Sequence, residues 1–179
     1  MFKRIVGCLI AACAFAAPVQ AQDFLSESGP VFSEFGRWAP VENMQPVEGQ
    51  VFKAVFDTSE GAKDGAINWR FDSAARYINL LAHNGVPAEY IHVAIVVHSS
   101  ASWDVTNDTA YSRKYPGRTN PNREVVAKML EKGVRFFICG QAAASHGIRN
   151  EDLLPGVTMT LSQTVASSVL HNEGFTNIP

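Results

Sequence analysis

The chain has 179 residues, of which 46% are hydrophobic and 18% are charged. This length suits one domain, and the composition is that of a globular protein rather than a disordered one. The formal net charge is −2 and no stretch concentrates Lys and Arg, so the sequence lacks the electrostatic footprint of a nucleic-acid-binding protein. We therefore expect one folded domain and no nucleic-acid partner.

The first 21 residues have the pattern of a secretory signal peptide. Lys3 and Arg4 precede an apolar run over 5–17, and residues 19–21 (Val-Gln-Ala) supply small residues where signal peptidase requires them. The run is too short to span a membrane. We expect cleavage after Ala21 and a periplasmic or secreted protein. Two alternatives stay open, which are a buried N-terminal helix and lipoprotein processing at Cys13.

Cleavage after Ala21 would leave one cysteine. Cys8 and Cys13 would be removed with the signal peptide, Cys139 would remain, and the formal net charge would change from −2 to −4. Exported proteins work where disulfides normally form, but a single thiol cannot form an internal bridge. Cys139 is therefore either buried and inert or exposed and reactive.

The chain then divides into an arm and a regular domain. Residues 22–50 contain several X-Pro breaks and scattered aromatic residues without a lasting period, so we predict an extended arm whose aromatic side chains pack over the domain. From residue 51 onward, short apolar runs alternate with amphipathic segments. The runs VFKAVFD (51–57), YIHVAIVVH (90–98) and VRFFIC (134–139) are typical of buried strands.

Helices and loops are predicted between and after these strands. One helix is expected to begin at Asp72 or Ser73 and another at 120–122, with a long polar loop over 99–119. Residues 157–161 are predicted to form a short strand or bend, and residues 175–179 are predicted to add a final edge strand. A last helix is predicted over 161–174, and its apolar side is formed by Leu161, Val165, Val169 and Leu170.

This alternation predicts a single α/β domain over 51–179, with three layers and a mainly parallel sheet. In such sheets ligands bind beyond the carboxyl ends of the strands. Asp57, His98 and Cys139 each stand at the end of a predicted strand. We therefore expect the functional site among these residues and the loops that follow them.

Cys139 is the candidate catalytic residue. It comes directly before a predicted helix start, where the free N–H groups of the first turn favour a thiolate. Gly140 would allow a tight turn and a close approach to a ligand, and Gln141 can orient a small polar group. The alternative is a small buried cysteine with a packing role.

The remaining candidates would bind a ligand around this thiol. His98 can serve as a base or as a partner of the thiolate, although a hydrogen-bonded histidine at a strand end is the simpler interpretation. Asp57 opens a glycine-containing loop, and Trp103 either walls a pocket or anchors its own loop. The sequence has no HExxH, CxxC, GxGxxG or GxSxG pattern, so we expect neither a metal nor a cofactor.

Two segments resemble the DsrE/DsrF-like family of small sulfur-handling proteins. They are NPNREVVAKMLEKGVRFFICGQAAASHGI (120–148) and DLLPGVTMTLSQTVASSVLHNEGF (152–175), within a resemblance that extends over residues 50–178. Together with the signal peptide, they identify the chain as a secreted member. The resemblance implies a fold related to flavodoxin topology and assembly into homo-oligomers, as trimers or hexamers. It also implies that a cysteine matching Cys139 carries sulfur as a persulfide.

The chain departs from the relay members of that family in its local charge. Cys139 is followed by Gly-Gln and three alanines, whereas the relay motif leads into a helix that contains Arg. Two hypotheses follow, and whether the protein is an enzyme stays open. The first is a periplasmic sulfur- or thiol-handling protein that carries a persulfide on Cys139 and meets a small sulfur compound or a thiol partner protein. The second is a non-catalytic oligomeric module that binds a small ligand.

Overall fold

A five-stranded, fully parallel sheet forms the centre of the domain in the computed structural model, which describes residues 25–179. Its strands are β1 (Phe52–Thr58), β2 (Ile91–Val97), β3 (Arg135–Cys139), β4 (Val157–Thr160) and β5 (Thr176–Ile178). In space they follow the order β4-β3-β2-β1-β5. The predicted α/β fold with a parallel sheet is confirmed. The predicted signal peptide lies outside the described residues.

Five α-helices and three short 3₁₀ turns connect the strands. The helices are α1 (Trp69–His83), α2 (Asp108–Lys114), α3 (Arg123–Glu131), α4 (Gly140–His146) and α5 (Gln163–Asn172). The 3₁₀ turns cover Ala88–Tyr90, Ser99–Val105 and Asn150–Asp152. No helix within residues 25–179 is long and apolar enough to cross a membrane.

Two local predictions differ from the structure. Helix α1 begins before the predicted start, because Asn68 caps it by accepting a 2.9 Å hydrogen bond from the backbone N–H of Arg70. The predicted loop over 99–119 contains the second 3₁₀ turn and α2. Elements this short have no amphipathic period that a sequence pattern can reveal.

The two faces of the sheet are covered by different elements. Helices α1 and α3 cover one face and enclose the larger core, which also takes in Phe32 and Phe35 of the arm. Helix α5 covers the other face through Ala166 and Leu170, which pack on a much smaller cluster. The predicted three-layer arrangement therefore has one deep and one shallow layer of packing.

The predicted apolar side of α5 is wrong for three of its four members. Leu170 is buried, but Leu161, Val165 and Val169 are 70%, 40% and 49% exposed. The helix lies on the sheet through the small side chain of Ala166, and this contact fixes its rotation so that the valine stripe faces outward.

A buried side chain of α1, Asn79, bonds the arm to the domain. The Asn79 amide oxygen accepts hydrogen bonds from the N–H groups of Val31 and Phe32 at 3.0 and 2.9 Å. Its amide nitrogen donates to the carbonyls of Phe32 and Gly36 at 2.9 and 3.0 Å. Residues 31–36 are thus bonded to the domain through their backbone, as a well-packed arm requires.

Candidate functional site

Asp57, His98 and Cys139 lie at the same end and on the same face of the sheet. The residue after β2 keeps an extended backbone, with φ −149° and ψ −179°, so the alternation of side chains continues through His98. Each of the three follows by two positions a side chain of the cluster that packs under α5. Those preceding residues are Val55, Val96 and Phe137.

The two polar members form a charge-assisted contact. His98 Nε2 lies 2.8 Å from Asp57 Oδ1, and both side chains are partly buried. Gln163 of α5 donates its amide N–H to the other carboxylate oxygen of Asp57. Because both oxygens are engaged, the carboxylate has a fixed orientation. A hydrogen bond from Nε2 to Asp57 leaves Nδ1 of the neutral imidazole as the basic nitrogen.

Cys139 is the neighbour of this pair across the sheet. The register pairs Val97 with Ile138, so His98 and Cys139 occupy the next positions of adjacent strands. Cys139 is a free cysteine, 6% exposed, and occupies the N-cap position of α4 without a capping hydrogen bond from its side chain. Its thiol is thus uncommitted and largely covered.

Ser99 adds a strained backbone at the same edge. Its φ is +49°, in the left-handed region that costs a non-glycine residue about 1–2 kcal/mol. Its hydroxyl lies 3.3 Å from Nδ1 of His98, and its carbonyl lies 3.1 Å from Nε2 of His146. Such outliers persist where the surrounding contacts fix them, often at functional sites.

The other predicted site residues have structural contacts. A Cβ on Gly140 would stand 2.4 Å from the carbonyl oxygen of Thr160, so the close approach at this glycine is made by β4. Gln141 donates to the carbonyl of Leu161 at 3.2 Å. Trp103 is buried in the larger core. Ligand binding by these three residues stays a prediction.

The structure therefore brings Asp57, His98, Cys139 and Gly140 together at one edge, whereas Trp103 is buried in the larger core. Sequence reasoning missed Gln163 and Ser99. Gln163 is separated from Asp57 by 106 residues, so no local pattern announces their contact. The positive φ of Ser99 had no signal either, because the sequence offers no glycine or asparagine there.

A buried carboxylate, Asp104, lies in the 3₁₀ turn that follows His98. Burial raises the pKa of Asp104 from 3.8 to about 6, although hydrogen bonds from Asn68 and from the backbone of Ala62 act in the opposite direction. Both donors reach Oδ2, at 2.7 and 2.8 Å. These bonds fasten the loop after β1 to the 3₁₀ turn that follows His98.

A metal centre gains no support from the described part of the chain. Residues 25–179 contain no group of three or more His, Cys, Asp or Glu side chains placed to hold a metal ion. The side chains of Cys139, His98 and Asp57 offer a thiol, an imidazole and a carboxylate at the edge.

Comparison with known proteins assigns the chain to a family. No relative was found among curated proteins. Among solved structures, the chain is similar to a protein of unknown function, MTH1491 from Methanobacterium thermoautotrophicum, with 20% identity and a TM-score of 0.54 over 71% of this chain and 97% of that one. It is also similar to the ychN protein from E. coli, with 17% identity and a TM-score of 0.47 over 72% of this chain and 99% of that one.

The first of these likenesses supports the fold and nothing further. The assignment comes from the sequence profile of the DsrE/DsrF-like family, which matches residues 51–178 and so covers more than half of the sequence. The chain belongs to the DsrE/DsrF-like family.

Proposed function

We propose that this chain is an exported sulfur- or thiol-handling protein and that Cys139 carries sulfur as a persulfide. One observation carries the proposal: the Cys139 thiol shares its sheet edge and face with the Asp57–His98 pair. Membership of a family associated with sulfur relay supports it. The signal-peptide pattern supports export.

The Asp57–His98 pair supplies a proton acceptor for Cys139 and, once protonated, a positive charge. Nδ1 of His98 accepts the thiol proton, and the Asp57 carboxylate stabilises the resulting imidazolium. The thiolate of Cys139 attacks the outer sulfur of a persulfide donor. The donor's S–S bond breaks, the donor leaves as a thiolate that takes up a proton, and Cys139 keeps the transferred sulfur. The imidazolium takes the place of the Arg that the relay motif carries in its helix and that α4 lacks.

Intact-mass analysis of the purified protein tests this proposal. After incubation with an inorganic polysulfide, we expect an added mass of about 32 Da, one sulfur atom, that reductant removes. The Cys139→Ser variant should gain nothing. An unmodified wild-type thiol under the same conditions would contradict sulfur transfer to Cys139.

The same spectra test export. After expression with an intact secretion pathway, the mass should match a chain that begins at Gln22. A mass that still includes residues 1–21, or a lipid-modified chain that begins at Cys13, would contradict the proposed processing.

We also propose that the protein is a homo-oligomer, a trimer or hexamer, assembled through an outward stripe formed by Val165 and Val169 of α5 and by Leu161, which precedes the helix. Leu161, Val165 and Val169 are exposed, and residues 161–172 contain no Asp, Glu, Lys or Arg. Charged residues are depleted in the cores of protein interfaces, and parallel sheets are normally covered well on both faces. A second subunit would supply the missing cover.

Light scattering of the mature protein tests the assembly. Val169→Glu places a charge in the stripe and should reduce the mass toward that of a monomer. Val41→Glu changes an even more exposed apolar residue, in the arm, and should leave the mass unchanged. A wild-type monomer at all concentrations would contradict the proposal.

The alternative function, a non-catalytic oligomeric module that binds a small ligand, is favoured by the coverage of the thiol. Cys139 is only 6% exposed. In that case Cys139→Ser would keep both assembly and ligand affinity, and no sulfur adduct would form on the wild-type protein.

A further inference from the structure

We propose that Gln163 is a positioning residue that ties helix α5 to the Asp57–His98 pair and thereby sets the reactivity of Cys139. Only the last step of the inference, the effect on the reactivity of Cys139, rests on the proposed function. Its first step, the control of the His98 ring by Gln163, concerns contacts that are independent of sulfur chemistry.

The start of α5 is built to hold Gln163 in place. Ser162 caps the helix by accepting a hydrogen bond from the N–H of Val165 at 3.1 Å. Gln163 is the first helical residue, and Ala166 and Leu170 follow it on the same inward side, where they are buried. The side chain of Gln163 therefore reaches Asp57 from a helix that is anchored on the sheet.

The chemistry of an amide suits this position. Gln163 donates an N–H to Oδ2 of Asp57 and leaves Oδ1 to accept from Nε2 of His98. Because the amide is neutral, the full negative charge of Asp57 stays available to the imidazole. A lysine here would compete for that charge, and a glutamate would repel it.

The consequence is a defined tautomer of His98. With the carboxylate held, Nε2 carries the shared proton and Nδ1, 3.3 Å from the Ser99 hydroxyl, is the unprotonated nitrogen. Without Gln163, the carboxylate can rotate and no longer holds the ring in this orientation. The proton acceptor would then be misplaced for part of the time, although every group of the site would still be present.

The outward side of the same helix connects the Gln163–Asp57 contact to the proposed assembly. Leu161 and Val165 flank Gln163 and are exposed, while Gln163 points inward. A subunit that covers the stripe would immobilise the first turn of α5 and with it Gln163. Thiol reactivity is then expected to be higher in the assembled protein than in a monomeric variant such as Val169→Glu.

Two readouts test the inference on the full mature chain. The first is the ¹⁵N spectrum of His98, which distinguishes the two tautomers. Wild type should show Nε2–H, and Gln163→Leu should show a mixture. The second is the alkylation rate of Cys139 by iodoacetamide. At neutral pH, Gln163→Leu should be slower by about ten- to a hundredfold, the change expected for one hydrogen bond to a charged group.

The pH profile separates positioning from a general structural effect. Near pH 10 most free thiols are ionised without help from a base, so the rates of wild type and Gln163→Leu should converge at about that pH. Gln50→Leu is the matched control, because Gln50 is exposed and its side-chain amide donates to the carbonyl of Pro46 within the arm. It should match wild type in both readouts.

The outcomes distinguish this inference from the proposed function. An unchanged His98 tautomer in Gln163→Leu overturns the positioning role, whatever happens to the thiol. A changed tautomer with an unchanged alkylation rate supports the control of His98 by Gln163 and overturns the use of His98 as the base for Cys139. If Gln163→Asn gives the wild-type result in both readouts, then the amide donor accounts for the effect.

Discussion

Nε2 of His98 lies 2.8 Å from Oδ1 of Asp57, and this contact joins the ends of the neighbouring strands β1 and β2. Cys139 occupies the position next to His98 on the adjacent strand. A carboxylate at the position of Asp57 stabilises the protonated imidazole more than the neutral one. The reactivity of the thiol should therefore depend on the charge of Asp57 and not only on its shape.

Asp57→Asn tests that dependence. The amide keeps the shape and an acceptor for Nε2, but it removes the negative charge. We expect the alkylation rate of Cys139 at neutral pH to fall by about ten- to a hundredfold, because transfer of the thiol proton to His98 loses its electrostatic support. Asp64→Asn, at an exposed ion pair with Arg118, is the control and should react like wild type. Equal rates for all three proteins would rule out the role of Asp57.

Gly140→Ala should disturb the same edge through the backbone. A Cβ at this position would meet the Thr160 carbonyl at 2.4 Å, so β3 and β4 would have to separate where Cys139 pairs with Thr160. We expect a loss of about 1–3 kcal/mol in the free energy of unfolding, as for overpacking of a core. Urea titration measures it.

Gly147→Ala serves as the comparison for that substitution. Gly147 ends α4 with φ +66°, and a Cβ there would meet no atom within 4 Å. Its substitution should cost only the backbone strain, about 1–2 kcal/mol, and should leave the alkylation rate of Cys139 unchanged. A Gly140→Ala variant with wild-type stability and thiol reactivity would show that β4 yields without effect on the site.

The sequence predicted the sheet better than the contacts across it. Apolar runs revealed the three central strands, and the rule for parallel sheets placed His98 and Cys139 at one edge. The rotation of α5 was missed because Val165 and Val169 look like a core stripe, whereas Ala166 makes the contact with the sheet. The role of Gln163 was missed because its partner Asp57 is distant in the sequence. The period of apolar residues indicates burial along a single element. The rotation of α5 on the sheet and the contact of Gln163 with Asp57 depend instead on residues that are distant in the sequence.

Asn79→Leu should release the arm. The amide makes four hydrogen bonds of 3.0 Å or less to backbone groups of residues 31–36, and leucine would leave those groups buried without partners. We expect a loss of about 3 kcal/mol or more in the free energy of unfolding. Trypsin cleavage after Arg37 should also become faster. Asn84→Ala, which loses a single bond at the end of α1, should change stability by about 1 kcal/mol.

Asp104 should give the protein a stability component that falls as pH rises. Burial raises the pKa of this carboxyl from 3.8 to about 6, so between these values the folded state holds the proton more tightly than the unfolded chain. The contribution is fully present below about pH 4 and is lost between about pH 4 and pH 6. The shift corresponds to roughly 3 kcal/mol.

Asp104→Asn isolates this component. The amide oxygen can still accept from Ala62 and Asn68, but it does not titrate. Urea titrations across this pH range should show the variant gaining stability relative to wild type as pH rises, by roughly 3 kcal/mol in total. Carboxylates whose pKa is lowered by ion pairs, such as Asp152 beside Arg113, act in the opposite direction but are shared by both proteins and cancel in the difference. If the difference between the two proteins stays constant with pH, then Asp104 titrates alike in the folded and unfolded chains, and burial does not raise its pKa.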